Sequence, residues 1–349
     1  MSAAASYPSV LMNSAPGQNH SSGLELDDAW FTAEPSAKTA GALALAWRKF
    51  WQLQARHALE AASEGVNRDI GRLMHCVNTL DFNRRLSPRM TARLAALMVA
   101  MSNEDGYEVF DTLQAWISDK PEQWYMDECL LESVATQDWE VPLLREIRST
   151  QVAGVASLEC FPLLEEDLSP YKNALMQALD LIQQVDQEMH AEIQSHVGMV
   201  KLFDGRGIEG LSTPKAFGAI WLKAPGHENA LAWFLEHLVH ECSHLHLNAM
   251  MAFDPLLKNP VEINRSPIRP DPRPMFQVLH ATFVLSRNLR VHSRLHARFP
   301  ELNLGNALKE FSSQLESGLA VLKEFMKPTR CGQKLLDSLH SKAGAFDIV

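Results

Sequence analysis

The stretch LEHLVHECSHLHLNAM, residues 235–250, decides how this chain is read, because it combines an apolar helical pattern with four histidines. Leu231, Phe234, Leu235, Leu238 and Val239 recur at helical spacing, so the run ENALAWFLEHLVHECSHLHLNAMMAF predicts a buried helix beginning near Glu228. Positions four apart share one face of a helix, which lets His240 and His244 present both imidazoles to a single point. His240-Glu241-Cys242-Ser243-His244 is the HExxH pattern, in which two histidines hold a metal ion and the glutamate serves beside it. Buried His and Glu side chains need partners, which makes metal binding the expectation over satisfied core polar groups. His246 points elsewhere. Cys242 falls about 160° round the helix from the histidine face and reads as a small buried residue rather than a thiolate ligand.

The rest of the composition narrows the class of partner. With 349 residues and 46% hydrophobic content the chain can bury a large core. A net charge of -10 without a dense Lys/Arg stripe argues against a nucleic-acid partner and against an anionic membrane surface. A small or peptide-like partner fits better. The five cysteines are scattered and never form CxxC, so they read as free thiols of a reducing compartment. No apolar run approaches the roughly 20 residues of a membrane helix. The N-terminal segment lacks the basic and apolar regions of a signal peptide, and a cytoplasmic location is expected.

The fold class expected is mainly α (α+β): a helical protein with a small β-sheet element near residues 198–222 and a metal site between two core helices. Residues 1–23 read as a disordered tail, 24–160 as an N-terminal helical region and 161–349 as the HExxH catalytic region, the last two forming either separate parts or one domain over 24–349. Helices are predicted over residues 40–63 with Gly65 as a stop, through SPRMTARLAALMVAMS with Pro88 just inside its start, and through MDECLLESVATQ. PYKNALMQALDLIQQVDQEMHAEIQSH reads as one long amphipathic helix. GMVKLF and AFGAIWL read as short strands, and DGRG, residues 204–207, as a hairpin-like loop. Helices from about Pro274, near 306–326 and near 332–342 complete the chain. Trp47, Trp51, Trp124, Trp139, Trp221 and Trp233 read as core or interface filling.

A second constellation lies in SPIRPDPRPMFQVLHATF, residues 266–283. Arg269, Asp271 and Arg273 alternate with Pro270, Pro272 and Pro274, which hold the backbone extended and the two guanidinium groups close together. The guanidinium fork grips carboxylates bidentately, and the helix that follows brings His280 inward as a third imidazole. Taken alone this is a proline-ruled turn with solvated arginines. Beside an HExxH helix it completes the minimum of a 2-oxo-acid oxygenase: an open-sided metal site and an arginine for the anionic co-ligand.

Here LVHECSHLHLNAMMAFDPL followed by IRPDPRP resembles the HExxH-type 2-oxoglutarate-dependent peptide β-hydroxylases of ribosomal-peptide modification, a domain also fused to radical-SAM maturases. FGAIWLKAP is similar to the strand that leads into that family's motif helix, and the likeness covers residues 198–300. The resemblance implies Fe(II) with 2-oxoglutarate and O2, hydroxylation of a β-carbon in a precursor peptide, and succinate and carbon dioxide as co-products. It carries metal binding to His240 and His244, the motif glutamate to Glu241, and cosubstrate binding to Arg269 and Arg273. The place of His280 rests on local geometry. Ile268 stands where the family pattern has an aromatic residue. Implied partners are the precursor peptide and other peptide-modifying enzymes.

Two alternatives stay open. A zinc metallopeptidase would use Glu241 as general base and needs a third ligand. Leu247 and Met250 exclude the metzincin extension, which leaves Glu262, Glu301 or Glu310 as that ligand. A non-catalytic peptide-binding partner of a maturation enzyme is the third reading. His292 and His296 are also four apart, but Arg290, Arg294 and Arg298 beside them suggest an exposed basic face.

Overall fold

The computed structural model describes residues 27–65, 70–135, 137–149 and 159–343; the tail expected over residues 1–23 lies outside them. The described residues are 66% helix and 11% strand, a mainly α protein with a small β element, as its sequence leads one to expect. Among the described residues no helix is long and apolar enough to cross a membrane. Two compact units are formed: Ala44–Leu168 with Ser195–Ala224, and the described parts of Ala15–Leu43, Ser169–Gln194 and Pro225–Val349.

The first unit holds most of α1 (Ala37–Gly65), then α2 (Gly71–Asn78), α3 (Pro88–Ser102), α4 (Gly106–Ser118) and α5 (Glu140–Ser149). α3 starts as its sequence predicts: the Ser87 hydroxyl accepts from the Arg89 N–H and Pro88 occupies the first turn. The antiparallel pair β1 (Arg85–Leu86) and β2 (Tyr125–Met126) is separate from the main sheet. That sheet runs β3 (Leu130–Ser133), β5 (Met199–Arg206), β7 (Ala219–Lys223), β6 (Gly210–Ser212), with β4 (Glu159–Phe161) on the far end of β5. β3, β5 and β7 are parallel, and β4 and β6 are antiparallel to their neighbours. Trp139, Trp221, Phe203 and Met199 form its core. The ammonium of Lys201, buried in β5, lies 2.7 Å from Glu132 and 3.0 Å from Glu140, so the charge is paired rather than orphaned.

Two expectations fail here. MDECLLESVATQ is not a helix, because Leu130–Ser133 gives its backbone groups to the buried strand β5 and alternates exposed and buried positions. Tertiary pairing overrides local propensity. DGRG is not a loop either: β5 continues to Arg206 and pairs with β4. Gly205 permits this, since a Cβ there would stand 1.9 Å from the Glu159 carbonyl oxygen.

The second unit is helical: α6 (Leu168–Val185), α7 (Gln187–His196, to Gln194), α8 (Ala230–Met251), α9 (Met275–Arg298), α10 (Gly305–Phe325) and α11 (Arg330–Ala343), with a short β8 (Ile263–Asn264) and β9 (Arg273–Pro274) pair. The expected single helix over residues 170–196 breaks at Asp186. That buried carboxylate accepts from the Met189 N–H at the start of α7 and receives Arg290 and Arg294 at 2.6 and 3.0 Å. The same pairing corrects the reading of residues 290–298: Arg290 also pairs with Glu34, and His292 is buried with Nδ1 2.9 Å from the Asn288 carbonyl.

Candidate functional site

α8 is apolar nearly all round and so is buried nearly all round, with Phe234, Leu235, Leu238, Val239, Leu245 and Leu247 at 0% exposure. α9 lies against it. Two of the N–H groups that open α9 find acceptors in the segment before β8: Met275 donates to the Glu262 carbonyl at 2.8 Å and Phe276 to the Pro260 carbonyl at 3.0 Å. Together with the β8–β9 pairing, these bonds set where Arg273 stands at the head of α9 and where His280 falls along it. Further along, α10 comes so near that a Cβ on Gly318 would be 2.4 Å from the Thr282 hydroxyl.

Between these helices the rings form a row. The His240 and His244 centroids are 5.0 Å apart and those of His244 and His280 5.3 Å. Nδ1 of His244 lies 3.0 Å from Nδ1 of His280. His237 continues the row 6.0 Å from His240, stacks on Trp233 at 3.7 Å and has its Nδ1 3.0 Å from the Trp233 carbonyl. Nε2 of His240 is shut off from solvent and has no hydrogen-bond partner among the described residues.

Burial keeps all of these rings neutral at pH 7. It holds His244 at about 4, and, reinforced by the neighbouring His244, holds His280 at about 3. His240 is pushed well below its ordinary value by burial and then by His244 and His237; burial takes His237 to about 4 against the favourable Trp233 carbonyl. Glu241, one residue on from His240, is wholly buried.

The opposite side of α8 is anchored. His246 is 3.3 Å from the Glu192 carboxylate, which also receives Arg287, and all three are buried. Arg287 in turn donates to the Ala33 carbonyl at 3.1 Å. Burial raises Glu192 above its usual range against the pull of Arg287, and it drives the Cys242 thiol up, leaving an inert buried thiol. This cluster anchors α8 on that side, and no local signal in the sequence marks His246 and Arg287 as supports, because their partner Glu192 lies over 50 positions upstream.

Arg273 is half-buried. Its guanidinium is 2.5 Å from Asp271, and its Nε has no partner among the described residues. Burial, then the charge of Arg273, lowers Arg269 below its ordinary value, so the two cations stand close together. The carboxylates considered as further ligands are engaged elsewhere or lie on the surface. Glu262 accepts from Asn259 at 2.9 Å and from Lys327 at 3.0 Å, Glu310 accepts from Gln314 at 2.9 Å, and Glu301 is exposed.

Neutral, buried imidazoles with an orphaned Nε2 are the donor chemistry of a borderline divalent ion such as iron(II) or zinc. In this respect His240, His244 and His280 fit one. Their arrangement is not itself a closed cage: among the described residues no group of three or more His, Cys, Asp or Glu is placed to hold a metal ion. In the His244–His280 contact one ring donates and the other accepts. No family model matches the sequence, and comparison with curated proteins gives no match either.

Proposed function

We propose that the protein is an iron(II)- and 2-oxoglutarate-dependent oxygenase of the cytoplasm that hydroxylates the β-carbon of a residue in a ribosomally made precursor peptide. The observation that carries the reading is the concurrence, in one unit, of three neutral imidazoles, those of His244 and His280 buried and that of His240 with its Nε2 closed off, and a proline-braced arginine pair. That pair sits at the head of the helix supplying the third imidazole. The likeness of LVHECSHLHLNAMMAFDPL and IRPDPRP to the HExxH-type peptide β-hydroxylases points the same way.

His240, His244 and His280 would hold the ion. Once bound, iron with 2-oxoglutarate supplies the oxidising chemistry, in which peptide C–H, O2 and 2-oxoglutarate become peptide C–OH, succinate and carbon dioxide. Arg273 takes the distal carboxylate of the cosubstrate. Asp271 holds that guanidinium aimed until the incoming carboxylate replaces it, and Arg269 adds positive charge beside it. The apolar walls of α8 and α9 keep water from the histidines. Glu241 would ligate the metal, order the histidines around it or steer a proton. For the zinc peptidase alternative Glu262 and Glu310 are engaged elsewhere and Glu301 is exposed, so His280 would be its third ligand too; what favours the oxygenase is the arginine pair at the head of α9. The test is succinate formation: chelator-treated protein given Fe(II), 2-oxoglutarate and O2 forms succinate, whereas a protein that ignores 2-oxoglutarate and binds only zinc would overturn the assignment.

A further inference from the structure

The pair β8 and β9 stands at the head of α9, and one edge of β8 is open: among the described residues no further strand is hydrogen-bonded to it. The register says what that edge offers. Bonded and non-bonded pairs alternate along an antiparallel ladder. The Met275 N–H donates to the Glu262 carbonyl, and the next pair sets Ile263 opposite Pro274, which has no N–H to give. Ile263 therefore turns its own N–H and C=O away from β9, toward the open edge.

The side chains around this edge are aliphatic and basic. Val261 is 72% exposed, Ile263 60% and Ile268 45%, so three large apolar groups stand in water on one short segment. Lys258 and Arg265 are exposed, and neither side chain forms an ion pair or hydrogen bond among the described residues. Both acids of the segment are engaged: Glu262 accepts from Asn259 and Lys327, and Asp271 holds Arg273. From Lys258 to Arg273 cations outnumber acids, in a chain whose net charge is -10. The edge lacks negative charge, and a partner bearing acidic side chains supplies it.

We propose that the open edge of β8 docks an extended peptide segment. The peptide adds as a further strand, lays aliphatic side chains on Val261, Ile263 and Ile268, and sets acidic side chains against Arg265 and Lys258. Main-chain bonds at Ile263 supply affinity and register, and the side-chain pattern supplies choice. A strand seated there lies two strand spacings, roughly 10 Å, from β9 and its Arg273. As the seat of the precursor peptide this edge rests on the oxygenase reading; as a peptide-binding edge it stands without it.

Fluorescence anisotropy of a labelled heptapeptide alternating Glu and Val, titrated with the chelator-treated full chain, tests the edge without needing metal. That peptide should bind saturably, and a counterpart with Lys for Glu should bind about tenfold or more weakly. Ile263→Pro removes the outward N–H while leaving the pairing with β9, and Arg265→Glu reverses the charge. Each should weaken the Glu/Val peptide about tenfold or more, while the iron-loaded variants form succinate without peptide at the wild-type rate. Binding that survives in a protein forming no succinate upholds the edge and removes only the oxygenase reading. If the Glu/Val peptide does not saturate the wild type, or binds both variants as it binds the wild type, the edge is not a peptide seat. A dimer in sedimentation that Ile263→Pro dissolves, with no peptide bound, would assign the edge to a second copy of the chain and overturn the proposal. Should Ile263→Pro fail to fold, Arg265→Glu decides the matter alone.

Discussion

Nδ1 of His244 stands 3.0 Å from Nδ1 of His280, joining α8 to α9 through two rings that burial keeps uncharged. The contact is as good as the packing of α9, and α9 is held from behind by α10 at Gly318. Gly318→Ala forces Thr282 and with it α9 to shift. Overpacking of this kind costs about 1–3 kcal/mol, less up to about 1 kcal/mol that alanine returns as a better helix former. Urea unfolding should show a net loss, and Thr282→Ala in the same chain should recover most of it. Unchanged stability in Gly318→Ala would mean that α10 does not brace the site.

Arg287 and Glu192 are both wholly buried and paired. Arg287→Met strands the Glu192 carboxylate and should lose about 3–5 kcal/mol. Replacing Glu192 by Gln in the same chain should restore a good part. Additive losses in the double variant, measured by the unfolding midpoint, would contradict a direct pair.

Acid should weaken the fold through its histidines. His237, His244 and His292 are held at about 4 by burial, while an unfolded histidine titrates near 6.5. Between these values the unfolded chain binds protons that the folded chain refuses. Stability is therefore full above about pH 6.5 and falls as pH is lowered toward about 4, by about 2 kcal/mol per histidine at pH 5. Chelator-treated protein unfolded by urea at pH 7, 6 and 5 gives the slope, and His292→Asn should flatten it. A midpoint independent of pH over this range would refute the depressed values.

Asp271 occupies the guanidinium that the proposed reaction needs. Arg273→Ala should weaken 2-oxoglutarate binding by about tenfold or more, the worth of a charge-assisted contact, and Asp271→Ala should tighten it by removing the competing carboxylate. Equilibrium titration of the iron-loaded protein distinguishes the two. If neither variant moves the dissociation constant, Arg273 does not bind the cosubstrate.

Much of this arrangement was legible in the residues themselves. The apolar spacing of α8 and the prolines before Met275 place both site helices to within about two residues, because each signal is local. Ser87 and Pro88 likewise declare the start of α3. What was not legible depends on distant partners. Leu130–Ser133 becomes a strand only because β5, some seventy positions on, needs a neighbour. Asp186 interrupts a helix that its own sequence would continue, where its carboxylate caps the Met189 N–H and receives Arg290 and Arg294. His292 looked solvent-facing among arginines whose charges are in fact spent on Asp186 and Glu34. Asp271, to which the sequence pattern assigns no role, is the residue that holds Arg273.

We propose that His240, His244 and His280 hold one metal ion between α8 and α9. Anaerobic equilibrium titration of chelator-treated protein with Fe(II) tests it directly. The wild type should bind one equivalent, and His240→Ala, His244→Ala and His280→Ala should each lose that site while keeping the helical spectrum of the fold. No saturable equivalent in the wild type, or full binding in all three variants, would contradict the account.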